Sequence, residues 1–104
     1  MRESKIEQKV CEYAKAKGFL VYKFSSPGNR GVPDRIFMKN GRMFFIEFKA
    51  TGKTTTALQD KVIDGISRQG FPVFIVDNIE DGYDAIDLYE TGPVLNNVKP
   101  IKSA

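Results

Sequence analysis

The sequence predicts an α/β domain with the element order αβββαβα, a mixed four-stranded sheet lying between helices. Three observations carry that reading. Asn40-Gly41 separates two alternating apolar runs, the strongest short signal for a hairpin closed by a two-residue type I′ turn. Segments on either side of the hairpin place their apolar residues on one arc at helical spacing. Val73-Phe74-Ile75-Val76 is a continuous apolar run that follows the second arc. Its strand is therefore reached through a helical crossover and is expected to run parallel to the third strand.

Ser4 is expected to open the first helix, with Glu7 three residues later in a capping-box relation, and Gly18 to close it. Ile6, Val10, Cys11, Tyr13 and Ala14 form its apolar arc, and Glu7 falls inside that arc. Phe19 to Phe24, rich in aromatic and β-branched residues, reads as the first strand. A Gly- and Pro-containing loop runs from Ser25 to Val32, and Pro33 sets the entry to a second strand that begins near Asp34. The third strand spans about Arg42 to Ala50. Both faces of the hairpin are apolar, so the sheet needs cover on both sides. A polar connection, Thr51 to Thr55, leads to a helix from about Thr56 to Gln69, closed by Gly70. Its apolar arc holds Leu58, Val62, Ile63 and Ile66, with Gln59 embedded between Ile66 and Ile63. The fourth strand covers Pro72 to Asp77. Asn78 caps an acidic helix through about Glu90, and Gly92-Pro93 opens a polar tail.

The hairpin raises an electrostatic problem. If Asn40-Gly41 forms the turn, Lys39 pairs with Arg42 and Asp34 lands opposite Glu47. A four-residue loop keeps this register and a three-residue loop breaks it. Side chains alternate along a strand, so Lys49 projects on the same side as Glu47. Opposed residues hold their Cβ atoms about 4.5–5.5 Å apart, where two like charges repel. A shared proton, which raises one pKa, or a bound cation offsets the repulsion. Oxygen ligands without imidazole or thiolate suit Mg²⁺ or Mn²⁺. Lys49 compensates only part of the charge.

Composition narrows the chemistry further. The chain has 104 residues and 41% hydrophobic content, which fits one domain: a core of about residues 4–90 and a polar tail, 91–104. That is small for an enzyme. It has no histidine, which excludes Ser-His-Asp hydrolysis, Cys-His proteases, histidine-ligated zinc sites and nucleases with a histidine base. Cys11 is the one cysteine, so no internal disulfide forms. No apolar stretch reaches the length of a membrane span, and Met1 to Lys5 lacks the apolar segment of a signal peptide. We expect an intracellular, cytoplasmic protein with no membrane partner. Residues 1–53 carry 12 Lys/Arg against 5 Asp/Glu (+7), whereas residues 54–104 carry 4 against 8 (−4). The basic half holds the acidic pair, which points to a polyanionic partner there, although a solvated lysine-rich surface gives the same count.

Gly31-Val32-Pro33-Asp34, followed after the hairpin by Glu47-Phe48-Lys49, resembles the PD-(D/E)xK nuclease superfamily. With Glu7-Gln8 on the first helix, Ile46-Glu47-Phe48-Lys49 and Gln59, it is similar to the VRR-NUC (virus-type replication-repair nuclease) domain over roughly residues 4–90. The resemblance implies a restriction-endonuclease-like αβββαβ core with an extra C-terminal helix. It also implies Mg²⁺- or Mn²⁺-dependent phosphodiester cleavage of DNA, branched in the manner of Holliday junctions, by a small homodimer of bacterial or phage-infected cells. By the same analogy Glu7, Asp34, Glu47 and the carbonyl of Phe48 are metal ligands, Lys49 is the catalytic lysine, and Gln59 is the family's second-helix glutamine. A first-helix cap for Glu7 and a packing role for Gln59 are the ordinary alternatives.

Lys23, Arg30, Arg35 and Lys53 are candidate phosphate contacts, each with the alternative of a plain surface cation. Gly52-Lys53-Thr54 looks like the end of a P-loop, but the required first glycine falls at Glu47, so no nucleotide cofactor is expected. A non-catalytic nucleic-acid-binding subunit of a larger complex is the alternative function. A weaker third reading has the acidic last helix docking a basic partner.

Overall fold

A computed structural model of the chain describes residues 1–90, and the expected polar tail, 91–104, lies outside the described residues. The order is α1 (Glu3–Ala16), β1 (Leu20–Lys23), β2 (Arg35–Lys39), β3 (Arg42–Phe48), α2 (Ala57–Arg68), β4 (Val73–Val76) and α3 (Ile79–Glu90). The four strands form one sheet in the order β1-β2-β3-β4. β1, β2 and β3 pair antiparallel, and β4 lies parallel to β3. This is the αβββαβ core with the extra C-terminal helix.

The hairpin turns as its sequence dictates. Lys39 pairs with Arg42, and Asn40 (φ 53°) and Gly41 (φ 79°) both take the positive φ that a type I′ turn requires. The strand ends are shorter than expected because pairing stops where the chain leaves the sheet; β3 ends at Phe48 rather than Ala50.

The first helix starts differently from its expected capping box. Arg2 is the N-cap, no side chain caps the helix, and the Arg2 carbonyl accepts from the Lys5 and Ile6 amides. Ser4 sits inside the first turn, and Glu7 forms an ion pair with Arg35 instead. With its carboxylate committed to the Arg35 guanidinium at 2.8 Å, Glu7 does not reach back to the helix start. At the other end Gly18 (φ 90°) completes a Schellman motif: the Phe19 amide reaches the Ala14 carbonyl and the Gly18 amide that of Lys15.

The two sheet faces are covered unequally. Phe37, Phe44, Ile46 and Phe48 point to one face and are fully buried with Ile6, Val10 and Ala14 of α1 and Ile86 of α3. α1 and α3 approach closely at Gly82, where an added Cβ would meet Val10 Cγ2 at 2.3 Å. Tyr13 stacks on Tyr83 at 4.0 Å, and Lys17 bonds Glu90 at 2.8 Å. The last helix thus spends part of its acidic surface on α1.

The opposite face takes α2, which covers it incompletely. Phe45 and Ile63 are buried there, but Leu20 and Tyr22 are each 56% exposed. The apolar arc expected to bury on α2 is split: Ile63 is inside, Val62 and Ile66 are half-buried, and Leu58 is exposed.

Candidate active site

The acidic pair sits where the ladder between β2 and β3 runs out. Arg35 is the last residue of β2 paired in register, opposite Ile46, so the next position sets Asp34 beside Glu47. Beyond that point side chains replace ladder bonds. The Phe48 amide donates to Asp34 Oδ2 at 2.8 Å, and the Asp34 carbonyl accepts from the Phe24 amide at 2.9 Å. Pro33, fully buried, and Gly31 (φ 90°) bring the chain to this point. A Cβ on Gly31 would lie 3.2 Å from both the Leu58 carbonyl oxygen and Val62 Cγ2, so the loop's approach to α2 depends on glycine there.

Glu47 is only 3% exposed. Its Oε2 lies 3.4 Å from Lys49 Nζ and accepts from Gln59 Nε2 at 3.1 Å. Its Oε1 is buried with no hydrogen-bond partner. Burial, then the neighbouring Asp34 charge, push the Glu47 carboxyl up to about 7, against the pull of Lys49. Asp34 is also raised, by burial first and by the charge of Glu7 second, while the Phe48 amide and the Lys49 and Arg35 charges draw it down. The repulsion anticipated from the hairpin therefore appears at Glu47, where the Asp34 charge adds to the larger effect of burial.

Gln59 links the lysine to the glutamate. Its Oε1 accepts from Lys49 Nζ at 2.8 Å while its Nε2 donates to Glu47. The same Oε1 accepts from the Thr56 amide at 3.0 Å, and Thr56 Oγ1 accepts from the Gln59 amide at 3.2 Å. Thr56 and Gln59 thus form a capping box at the start of α2, and the box fixes the amide that orients Lys49. The Thr56-x-x-Gln59 pattern was legible in the sequence as a capping signature. The role of Thr56 beside the site was not, because its connection to Lys49 spans separate elements.

Glu7, the candidate ligand on the first helix, is engaged in an ion pair. α1 covers the Phe37–Phe44 face, and Glu7 Oε2 accepts from Arg35 Nε at 2.8 Å. Among the described residues no group of three or more His, Cys, Asp or Glu side chains gathers as a metal cage. Glu7 still lies close enough for its charge to act on Asp34. Arg35, a candidate phosphate contact or plain surface cation, is engaged with Glu7 and half-buried. Lys23 is exposed and pairs in register with Arg35, whereas Arg30 and Lys53 are exposed on the loops before β2 and after β3. Cys11 is a buried core thiol, pushed up to about 11 mainly by burial.

The residues fit a hard divalent cation on one observation. An acidic pair with a buried, unpartnered carboxylate oxygen leaves a desolvated acceptor that a cation would satisfy. Asp34 and Glu47 are the candidate groups to hold it, and the Phe48 amide is already engaged with Asp34 Oδ2.

No family model matches the chain. A protein of Acyrthosiphon pisum secondary endosymbiont phage 1, described as "Putative nuclease p44", is 37% identical over 79 residues, covering 75% of this chain and 85% of the relative. A solved structure described as "VRR_NUC domain" aligns with a TM-score of 0.77 at 26% identity, covering 84% of this chain and 96% of that one. Another, "VRR_NUC domain protein", aligns with a TM-score of 0.73 at 20% identity over 86% and 88% of the two chains, and shares the fold. Sheet topology and relatives together define a nuclease with the restriction-endonuclease-like fold. The chain belongs to the VRR-NUC family.

Proposed function

We propose that this nuclease is a Mg²⁺- or Mn²⁺-dependent endonuclease that cuts branched DNA as a homodimer. The carrying observation is the opposed Asp34–Glu47 pair, with Lys49 on the same side and tethered by Gln59 Oε1 at 2.8 Å. When bound there, a divalent cation would supply polarisation of the scissile phosphate and a lowered pKa for the attacking water.

The chain's own residues do the rest. Asp34 and Glu47, with the Phe48 carbonyl, would hold the cation, and Glu7, now paired with Arg35, is the further carboxylate that could join them. Lys49 orients the attacking water, and its charge opposes the negative charge that builds on phosphorus. Gln59 keeps the Lys49 ammonium beside Glu47 and prevents it from turning to solvent. Lys23, Arg30 and Lys53 contribute phosphate contacts, the sequence-independent part of DNA affinity. Dimerisation draws support from the uncovered sheet surface around Leu20 and Tyr22, joined by the half-buried Ile36, Met38 and Met43. Two copies would supply two sites for two strands.

Incubation of four-way junctions, flaps, single strands and plain duplex with Mg²⁺, Mn²⁺ or EDTA tests the reading. Cleavage of branched forms in either metal and none in EDTA is expected. Activity that survives EDTA rejects the metal mechanism, and equal cutting of plain duplex rejects structure specificity. Salt-dependent binding without cleavage under any metal would favour a non-catalytic subunit. A monomer mass by light scattering rejects the homodimer.

A further inference from the structure

A groove of about 560 Å³ runs between the loop after β1 and α2. Its apolar lining includes Phe24, Leu58, Val62 and Ile66, and its cations are Arg30 and Lys61. None of its lining residues is acidic. The volume lies within the range, roughly 300–1,000 Å³, of pockets that enclose small organic ligands. Both walls lead into the candidate site. Val32 precedes Pro33-Asp34 on the loop, and Leu58 precedes Gln59 on the helix.

An apolar slot on α2 is unexpected unless it has an occupant. Leu58 and Val62 are four residues apart and share one stripe, with Ile66 a further turn along; Lys61 flanks them. Within that stripe Val62 and Ile66 are half-buried, and Leu58 is 48% exposed. The loop opposite is held in place: the Asn29 amide donates to the Ser26 carbonyl at 2.9 Å, and Asn29 Nδ2 donates to Ser26 Oγ at 3.1 Å. A ligand matching this groove has a flat apolar body and an anionic edge. A nucleotide withdrawn from the stack has both, whereas a fully paired strand presents only its phosphates.

We propose that this groove receives one unpaired nucleotide of the substrate, next to the scissile phosphate. Its base lies against Leu58 and Val62, and its flanking phosphates meet Arg30 and Lys61. The proposal rests on the nuclease reading and adds to it a source of preference for branched or frayed DNA, in which unstacking a base costs little.

The test uses the full chain and branched DNA carrying 2-aminopurine at successive positions around the cut. In EDTA, one or two adjacent positions are expected to brighten on binding as the probe leaves the stack. Leu58→Ser, an exposed site that spares the core, should abolish that rise and weaken binding roughly tenfold. Arg30→Gln and Lys61→Gln should each reduce the salt dependence of binding by about one phosphate contact. A silent probe at every position overturns the proposal. So does a Leu58→Ser variant that keeps the signal, or one that falls from dimer to monomer, which would give the groove to a second copy of the chain. Cleavage in Mg²⁺ is scored separately: a silent probe with normal cleavage rejects the groove alone, and a Leu58-dependent signal without cleavage rejects the nuclease reading alone.

Discussion

In metal-free protein, Glu47 should make the fold less stable as the pH rises. Its carboxyl moves from an ordinary value of 4.5 to about 7 in the folded chain. Between those values the folded state keeps a proton that the unfolded chain has released, so stability falls as pH rises through the window and levels off above 7. The full shift corresponds to about 3 kcal/mol, of which about 2–3 kcal/mol falls between pH 5 and pH 8. Asp34 is raised as well and acts with the same sign. Asp77 is held low by the Asn78 side chain and the Gly52 amide, so its contribution is lost only on further acidification, outside this window. Glu47→Gln imitates the protonated acid at every pH. Denaturation in EDTA at pH 5 and pH 8 should show the variant gaining about 2–3 kcal/mol on wild type between the two, roughly 10 °C in melting temperature for a domain this size. Comparing the two pH values cancels any fixed cost of the new amide. Saturating Mn²⁺ should remove the wild-type slope and leave the variant unmoved. Parallel pH profiles for the two proteins would refute the account of the acidic pair.

Other perturbations test the remaining parts. Lys49→Ala should lower cleavage by at least 100-fold with an unchanged circular dichroism spectrum, and full activity would remove Lys49 from its role. Thr56→Ala should cost about 1 kcal/mol as a lost N-cap and also reduce turnover, because Gln59 loses its anchor; Thr56→Ser should restore both, and an unchanged turnover would confine Thr56 to stability. Gly82→Ala should destabilise by about 1–3 kcal/mol in urea titration, since the new methyl would need the space of Val10 Cγ2; an unaffected midpoint would mean that α1 and α3 separate freely.

Much of this architecture was readable from local rules. The type I′ turn at Asn40-Gly41, the pairing of Lys39 with Arg42 and the meeting of Asp34 with Glu47 follow from turn chemistry and a side-chain period of two. The parallel placement of β4 followed from its helical crossover. The start of α1 was misread because Ser4-x-x-Glu7 satisfies a local pattern while Arg35, distant in sequence, offers Glu7 a stronger partner. The same ion pair explains why Arg35 does not stand ready for a phosphate. The arc on α2 was read as apolar along one side, and a periodicity states only that such residues share a side, not how much protein lies over them.

The sequence by itself determined the elements, the hairpin register and the acidic pair with its lysine, since each depends on residues close along the chain or matched across one turn. The tertiary structure decided which sheet face α1 covers, that Arg35 engages Glu7, that Glu47 Oε1 is buried without a partner, and that the α2 stripe borders a groove. The physical reason lies in burial. Phe37, Phe44, Ile46 and Phe48 form a face that two helices can seal completely, whereas the face bearing Asp34 and Glu47 must keep polar groups paired or within reach of a cation. Choosing between those faces requires packing among residues remote in sequence, which no local spacing encodes.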